Sequence, residues 1–276
     1  MLLYYVKNII VSLINMKNIV KYFSLIILIS FMTSGLSGEE SRLNTILSKG
    51  ILRVGTTGDW NPMSIKDPST NEYVGFDIEI VTELAKDMGV KLELVPTDWK
   101  TIVSGITANK YDISTSASLN AKRALSSGYS VSFLNYYQVP LTLKKNLSKF
   151  SDWDDLNKSN IKFAVTLGTV QEQMAKEFFP NAIISSVEAP ARDFQEVLSG
   201  RADASMTSNI EAAALVKQYE EISIIPVKEQ RRPTPLAWLI PQNDQIWINY
   251  VNHWINLKKS QGYFEKIMVK YNLQKN

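Results

Sequence analysis

From residue 51 onward the sequence alternates short apolar, strand-like segments with longer segments of helical periodicity. ILRVGT (51–56) and KLELVP (91–96) have the length and the branched apolar side chains of strands. Between them, GFDIEIVTELAKDMG (75–89) places apolar residues at helical spacing and ends on glycine, a common helix C-cap. This alternation predicts an α/β fold, because βαβ units pack their helices against a parallel sheet.

The same alternation occurs a second time later in the chain. Four further strands are predicted, separated by helical patterns: IKFAVT (161–166), AIISSV (182–187), ADASMT (202–207) and ISIIPV (222–227). Two such units in 276 residues predict two lobes. We predict that residues 137–143 and 228–235 run side by side as crossover strands, with a ligand cleft between the lobes. The predicted limits are 38–138 and 233–276 for lobe 1 and 139–232 for lobe 2.

The N-terminal segment, residues 1–37, is predicted to be a secretory signal peptide. Lysines precede the apolar run FSLIILISFM (23–32), and the small-residue run TSGLSG (33–38) follows it. This run is short for a membrane span, which takes about 20 residues. A permanent N-terminal anchor is the alternative, and translation starts at either Met1 or Met16. We expect a periplasmic protein that contacts the membrane only through an uncleaved signal segment.

Charge and composition exclude several classes of function. Residues 1–37 carry three lysines and no acid, which leaves 27 basic and 27 acidic residues in the remainder. This neutral remainder predicts no nucleic-acid partner. The sequence has no cysteine and one histidine, His253, too few for a disulfide, a thiol nucleophile, a His-based metal site or a Ser-His-Asp triad. We therefore expect no metal and no cofactor, and we expect His253 on a helix face.

Several segments together resemble a known family, the family 3 extracytoplasmic solute-binding proteins, over about residues 41–273. They are LRVGTTGDWNPMS, GFDIEIVTELAKDMG, YDIS with NAKRALSSGYSVSF, VTLGTVQE and GRADASMT. The resemblance implies a periplasmic binding protein-like fold, with two α/β lobes, two crossover strands and a cleft between the lobes. Within the family, TTGDW followed by Pro62, VPTDW and NAKR resemble the cyclohexadienyl dehydratases, which convert prephenate to phenylpyruvate, water and carbon dioxide. The first hypothesis is such a lyase. The alternative is a non-catalytic receptor that delivers a small carboxylate or an amino acid to an ABC permease.

The resemblance also implies how the ligand is held at its carboxylate. Arg123 matches the family arginine that binds this group, and a planar guanidinium suits a carboxylate. Ser116 and Ser118 would add donors around it. The alternative for Arg123 is a surface residue of a Lys-Arg pair on a helix. Since a carboxylate is the group to be held, we expect a small anionic ligand.

Further binding residues are expected at strand ends and at a helix start. Gly168 and Thr169 open a helix, where free amide groups and the helix dipole attract a carboxylate. Trp60 and Trp99 follow strand ends and would flank the ligand, unless they are core or lid aromatics. Asp59 either binds a polar group of the ligand or caps the following turn.

Glu172 lies in the first turn of that helix and, through the resemblance, is the expected general acid of a dehydratase. It would have to remain protonated near neutral pH, which requires burial. The alternative is an ordinary acidic residue favoured by the helix dipole.

Ser208 stands where amino-acid-binding relatives carry an aspartate for the α-ammonium group. This difference predicts poor suitability for α-amino acids and is compatible with a keto acid, and Ser208 itself is a candidate binding residue.

Overall fold

The structure is a computed structural model that describes residues 40–273. The predicted signal peptide and both candidate start residues lie outside the described residues. Across residues 40–273 the helices are all too short or too polar to span a bilayer.

Helices and strands alternate along the described residues as predicted. The helices are α1 Arg42–Lys49, α2 Phe76–Asp87, α3 Ile102–Thr107, α4 Ala121–Ala124, α5 Val170–Phe178, α6 Asp193–Leu198, α7 Asn209–Gln218, α8 Gln245–Ser260 and α9 Tyr263–Lys270. The strands are β1 Ile51–Thr56, β2 Asp59–Trp60, β3 Ser64–Lys66, β4 Tyr73–Val74, β5 Lys91–Pro96, β6 Ile113–Ser114, β7 Ser116–Ser118, β8 Gly128–Tyr129, β9 Leu134–Leu143, β10 Lys162–Thr166, β11 Ile183–Val187, β12 Ala204–Ser208, β13 Ile222–Ile224 and β14 Arg231–Ile240.

The strands form sheets of mixed direction. In the first lobe, β1 lies between β5 and β6, and both pairings are parallel. In the second lobe, β10 lies between β11 and β12, again in parallel. The short strands β2, β3 and β4 form a small antiparallel sheet beside the first lobe's core. The parallel arrangement requires the intervening helices as crossovers, which is why the strand and helix patterns alternate in the sequence.

The two crossover strands are β9 and β14, which pair antiparallel. Thr234 lies opposite Tyr136, and Leu236 lies opposite Leu134. The predicted pairing of the two connections is confirmed. Prolines 233 and 235 lie inside β14, and the register shifts between Arg231 and Thr234. Proline is tolerated there because irregular pairing does not need every amide donor.

Each lobe has its own core of buried aromatic side chains. Trp238, Trp247 and Phe264 are buried in the first, and β14 and the two C-terminal helices contribute to it. Trp153 and Phe163 are buried in the second. Separate cores are what two lobes require, so the two-lobed α/β architecture is confirmed, whereas the limits given above for each lobe stay a prediction. His253 is exposed on α8, as expected.

Candidate functional site

A cleft separates the two lobes and is lined from both sides. With the lobes as they stand, its free cavity volume is about 20 Å³, roughly enough for one water molecule. Thr166 ends β10, and Thr207 lies at the end of β12. Both residues line the cleft. The carboxyl ends of parallel strands in an α/β sheet are where ligands usually bind, because the loops and helix starts converge there.

Four of the expected ligand-binding residues line this cleft, namely Trp60, Trp99, Ser118 and Thr169. The Trp60 ring meets the Trp99 ring edge-on, with ring centroids 5.8 Å apart. It meets the ring of Tyr136 in the same way at 6.1 Å. The three rings form an aromatic wall on the side of the first lobe.

Asp59 binds one ring of this wall, that of Trp99. Its carboxylate accepts a hydrogen bond from Trp99 Nε1, which lies 3.1 Å from each of the two oxygens. It also lies 3.3 Å from Nη1 of Arg192 in the second lobe. Asp59 is therefore occupied by protein groups on both sides of the cleft.

Arg123 lies at the rim of the cleft and is half-buried. Its Nη2 donates to the Gly168 carbonyl oxygen at 3.1 Å, and its Nη1 lies 3.4 Å from the Ser118 carbonyl oxygen. The guanidinium thus points towards the second lobe rather than into bulk water. Asn120, the N-cap of α4, also reaches across, and its Nδ2 donates to Gln173 Oε1 at 3.0 Å.

Gly168 allows the two backbones to approach each other. Its φ is +82°, and a Cβ atom there would lie 2.5 Å from the Cα and N atoms of Lys100. A side chain is excluded at this position because the Lys100 backbone occupies the space that its Cβ would need. Lys100 Nζ also pairs with Glu188 at 2.9 Å. With these contacts the lobes lie close together, so a ligand the size of an amino acid must separate them to enter.

Two of the predicted serines do not present their hydroxyl groups to the cleft. Ser116 is buried, and its hydroxyl donates to the carboxylate of Asp77 at the start of α2. Ser208 is fully buried, and its Oγ accepts from the Glu211 amide as the N-cap of α7. Neither hydroxyl group is directed into the cleft in this arrangement. Ser118, which was also predicted, and Thr207, the neighbour of Ser208, do line the cleft.

Glu172 also departs from the role expected for it. Its carboxylate accepts from the Gly168 amide at 2.9 Å, Lys176 Nζ at 2.7 Å and Ser186 Oγ at 3.0 Å. Burial alone would raise the pKa of Glu172, but these hydrogen bonds outweigh it and leave the pKa below its ordinary value. The protonated form required of a general acid is therefore not favoured. The residue of this turn that lines the cleft is Gln171.

A buried arginine missing from the sequence-based site lies at the centre of the cleft wall. Arg192 Nη2 donates to both carboxylate oxygens of Glu211, at 2.9 and 3.0 Å. Its Nη1 donates to the Asp59 carbonyl oxygen, and its Nε to Thr166 Oγ1 at 3.2 Å. Attraction to Glu211, Asp59 and Asp193 outweighs the effect of burial and raises the pKa of Arg192.

Two buried carboxyl groups line the cleft beside this arginine. Burial raises the pKa of Glu211 to about 7, although Arg192 opposes the shift. Burial also raises the pKa of Asp193, although Arg192 and the hydroxyl groups of Thr166 and Ser205 oppose the shift. Its Oδ1 accepts from Thr166 Oγ1 at 2.7 Å, whereas its Oδ2 has no hydrogen bond of standard geometry within the described residues. Together with Asp59, three carboxyl groups lie close to Arg192. The surroundings of Arg192 therefore have no excess of positive charge, and the expectation of a small anionic ligand stays a prediction.

Eight lining residues were not foreseen from the sequence, and they are Tyr136, Thr166, Gln171, Arg192, Asp193, Met206, Thr207 and Glu211. One signal could have found several of them. The carboxyl ends of the predicted strands 161–166 and 202–207, and the helix start after 182–187, mark the cleft side of the second lobe.

The chain matches a family and individual proteins over most of its length. The model of the bacterial extracellular solute-binding proteins, family 3, matches residues 52–274. The chain is 29% identical to cyclohexadienyl dehydratase of Pseudomonas aeruginosa, with 86% of this chain and 88% of that protein covered. It is 24% identical to the L-cystine-binding protein TcyA of Bacillus subtilis, with 82% and 83% covered.

Among solved structures it is similar to an ancestral amino acid-binding protein described as a precursor of cyclohexadienyl dehydratase. The identity is 38% and the TM-score 0.77, with 84% of this chain and 99% of that chain covered. A second structure of that ancestor is described as a cationic amino acid solute-binding protein, with 37% identity, a TM-score of 0.65 and the same coverage. Because the family match spans most of the chain, the protein belongs to the bacterial extracellular solute-binding proteins, family 3.

Proposed function

We propose that the protein is a periplasmic receptor that closes its two lobes on an amino acid and delivers it to an ABC permease. The observation that carries this proposal is the buried carboxylate of Asp193 on the cleft wall, of which only Oδ1 makes a hydrogen bond of standard geometry within the described residues. A buried carboxylate oxygen without a well-placed donor is costly, and a ligand ammonium group would supply that donor. Relatives named for amino acid binding support this ligand class.

The opposite end of the ligand would be held from the rim of the cleft. Arg123 approaches the turn before α5, and Thr169, the N-cap of that helix, lines the cleft. A guanidinium and a helix N-terminus both favour a carboxylate. An α-amino acid, with carboxylate and ammonium a few ångströms apart, suits a cleft that offers one group of each sign. The aspartate that Ser208 replaces would then have a substitute in Asp193.

The face that α5 presents to the cleft favours binding over catalysis. Gln171 lies there, and its Nε2 is 3.2 Å from Gln138 Oε1. An amide side chain can orient a ligand but cannot deliver a proton at neutral pH. Glu172 is held ionised on the other side of the turn, as described above.

Prephenate dehydration is the second candidate, because a relative that matches most of the chain is named for that activity. The reaction needs a protonated carboxyl group beside the departing hydroxyl group. Glu211 and Asp193 line the cleft and have raised pKa values, so they satisfy that requirement better than Glu172 does.

One set of experiments separates the two candidates. The purified protein is screened against the proteinogenic amino acids by thermal shift, and it is also incubated with prephenate while phenylpyruvate is followed. We expect a rise in melting temperature with at least one amino acid, a loss of that rise in Asp193→Asn, and no phenylpyruvate above the uncatalysed rate. Turnover of prephenate would contradict the receptor proposal. Variants Asp193→Asn, Glu211→Gln and Glu172→Gln would then identify the acid.

A further inference from the structure

Arg192 is buried, and every nitrogen of its guanidinium has a partner within the protein. It lies immediately before α6, and 7% of its surface is exposed to solvent. Its guanidinium donates to Glu211 through Nη2, to the Asp59 backbone through Nη1 and to Thr166 through Nε. The Asp59 carboxylate also lies 3.3 Å from Nη1, so each of the three guanidinium nitrogens has an acceptor within the protein. Arg192 therefore needs no ligand group as a partner.

The acceptors around Arg192 come from widely separated parts of the chain. Asp59 belongs to β2 in the first lobe, whereas Asp193 and Glu211 begin two different helices of the second. A guanidinium nitrogen lies 3.3 Å from the carboxylate of Asp59, 3.8 Å from that of Asp193 and 2.9 Å from that of Glu211. The buried carboxyl groups of Asp193 and Glu211, with the half-buried one of Asp59, form a site for a cation, since buried carboxylates are costly without one.

This acidic site continues directly from the aromatic wall of the cleft. Asp59 is bound to the Trp99 indole, and Trp60 and Trp99 line the same cavity as Arg192, Asp193 and Glu211. Carboxylates beside aromatic faces are the surroundings that favour a guanidinium or an ammonium group. In this protein that position is taken by one of its own side chains.

We propose that Arg192 is a specificity-determining residue that occupies, from within the protein, the subsite for a cationic ligand side chain. This inference rests on the proposed amino acid receptor and names its ligand class. Amino acids with uncharged side chains are accepted. Arginine and lysine are rejected, because their side-chain cation would meet Arg192 instead of free carboxylates. The chain would differ in this respect from the ancestral relative described as binding cationic amino acids.

The wild-type protein provides the first test. Calorimetric titrations with alanine, glutamine, leucine, arginine and lysine should give at least about 100-fold weaker binding for the two cationic amino acids, because juxtaposed like charges cost several kcal/mol. Binding of arginine or lysine as tight as the best neutral amino acid would overturn the inference. The receptor proposal would survive that outcome.

The second test removes the Arg192 guanidinium by mutation and adds methylguanidinium as a free cation in its place. We expect Arg192→Ala to gain arginine binding and to be stabilised thermally by millimolar methylguanidinium, which should leave the wild type unchanged. Arg192→Lys retains a cation and should retain the rejection. Arg201→Ala is the matched control, because Arg201 pairs with Glu196 near the end of α6 and is 65% exposed. Arg201→Ala should gain neither arginine binding nor stabilisation by methylguanidinium.

Different outcomes are expected if the variant does not fold and if the wild-type protein binds no amino acid. If Arg192→Ala does not fold alone, the double variant Arg192→Ala/Glu211→Gln removes one unpaired carboxylate, and the same methylguanidinium response is expected. A folded variant that shows no response to methylguanidinium and no gain of arginine binding refutes the inference. If the wild type binds no amino acid while methylguanidinium stabilises the variant, the receptor proposal fails and the internal cation subsite stands.

Discussion

The guanidinium of Arg123 donates an Nη2 hydrogen bond of 3.1 Å to the carbonyl oxygen of Gly168, and this bond joins the two lobes across the cleft. Arg123 lies on α4 of the first lobe, and Gly168 lies in the turn between β10 and α5 of the second. A carbonyl oxygen is a weaker partner for a guanidinium than a carboxylate is. A ligand carboxylate that entered here would therefore strengthen a contact that already holds the lobes together.

Replacing Arg123 tests this relationship. We expect Arg123→Ala to weaken ligand binding by about 2–3 kcal/mol, the lower part of the range for losing one partner of a buried charge pair. The ligand-induced rise in melting temperature should disappear. Lys122→Ala is the control, because Lys122 is exposed on the same helix. An undiminished rise in Arg123→Ala would show that the carboxylate is held elsewhere.

Gly168 should be intolerant of even a methyl group. In Gly168→Ala the new Cβ would lie 2.5 Å from backbone atoms of Lys100, so the lobes could not close to the same distance. We expect weaker ligand binding and a larger radius of gyration in the presence of ligand, measured by small-angle X-ray scattering.

Gly200→Ala separates that clash from backbone strain. Gly200 also has positive φ, +72°, but nothing lies within 4 Å of its added Cβ. Both variants should lose about 1 kcal/mol of stability from the left-handed conformation. Only the variant at 168 should lose ligand affinity. Equal affinities in the two variants would contradict the role given to the Lys100 contact.

Glu172 should contribute to helix stability and not to binding. We expect Glu172→Gln to lower the free energy of unfolding by less than about 1 kcal/mol, because its lysine partner is largely exposed. Ligand affinity should remain within about twofold of the wild type. Since the pKa of Glu172 is lowered in the folded protein, its contribution is present at neutral pH and is lost below its ordinary range. Glu177→Gln on the same helix is the comparison, because Glu177 also belongs to an exposed ion pair, with Arg232.

Two buried carboxyl groups predict an unusual dependence of stability on pH. Burial raises the pKa of Asp77 from 3.8 to about 7 and that of Glu211 from 4.5 to about 7. Between these limits the folded protein retains protons that the unfolded chain has released. Stability should therefore fall as pH rises from about 4 to about 7, by on the order of 1 kcal/mol per group and pH unit, and then level off.

Denaturant titrations at several pH values measure this slope. Asp77→Asn and Glu211→Gln should each flatten it. Asp67→Asn is the comparison, because hydrogen bonds from Ser69 and Thr70 lower the pKa of that exposed carboxyl group. Its replacement should leave the interval from 4 to 7 unchanged. A wild-type stability that rises steadily through this interval would be incompatible with protonated buried acids.

Local patterns in the sequence were sufficient to predict the architecture. The strands 51–56 and 91–96 were predicted from length and branched side chains, and they pair in parallel as β1 and β5. The pairing of the two crossover segments was predicted because a chain that leaves the first lobe and later returns to it must cross between the lobes twice. These features depend on the periodicity of apolar residues, which neighbouring positions encode directly.

The orientation of individual side chains around the cleft was decided only by the tertiary structure. Gln171 and Glu172 differ by one position, which is about 100° around a helix, and this rotation places the amide in the cleft and the carboxylate against Lys176. Arg192 and Asp59 are 133 residues apart and lie on different lobes. No spacing in the sequence encodes such a contact, because it exists only once both lobes have folded and closed on each other.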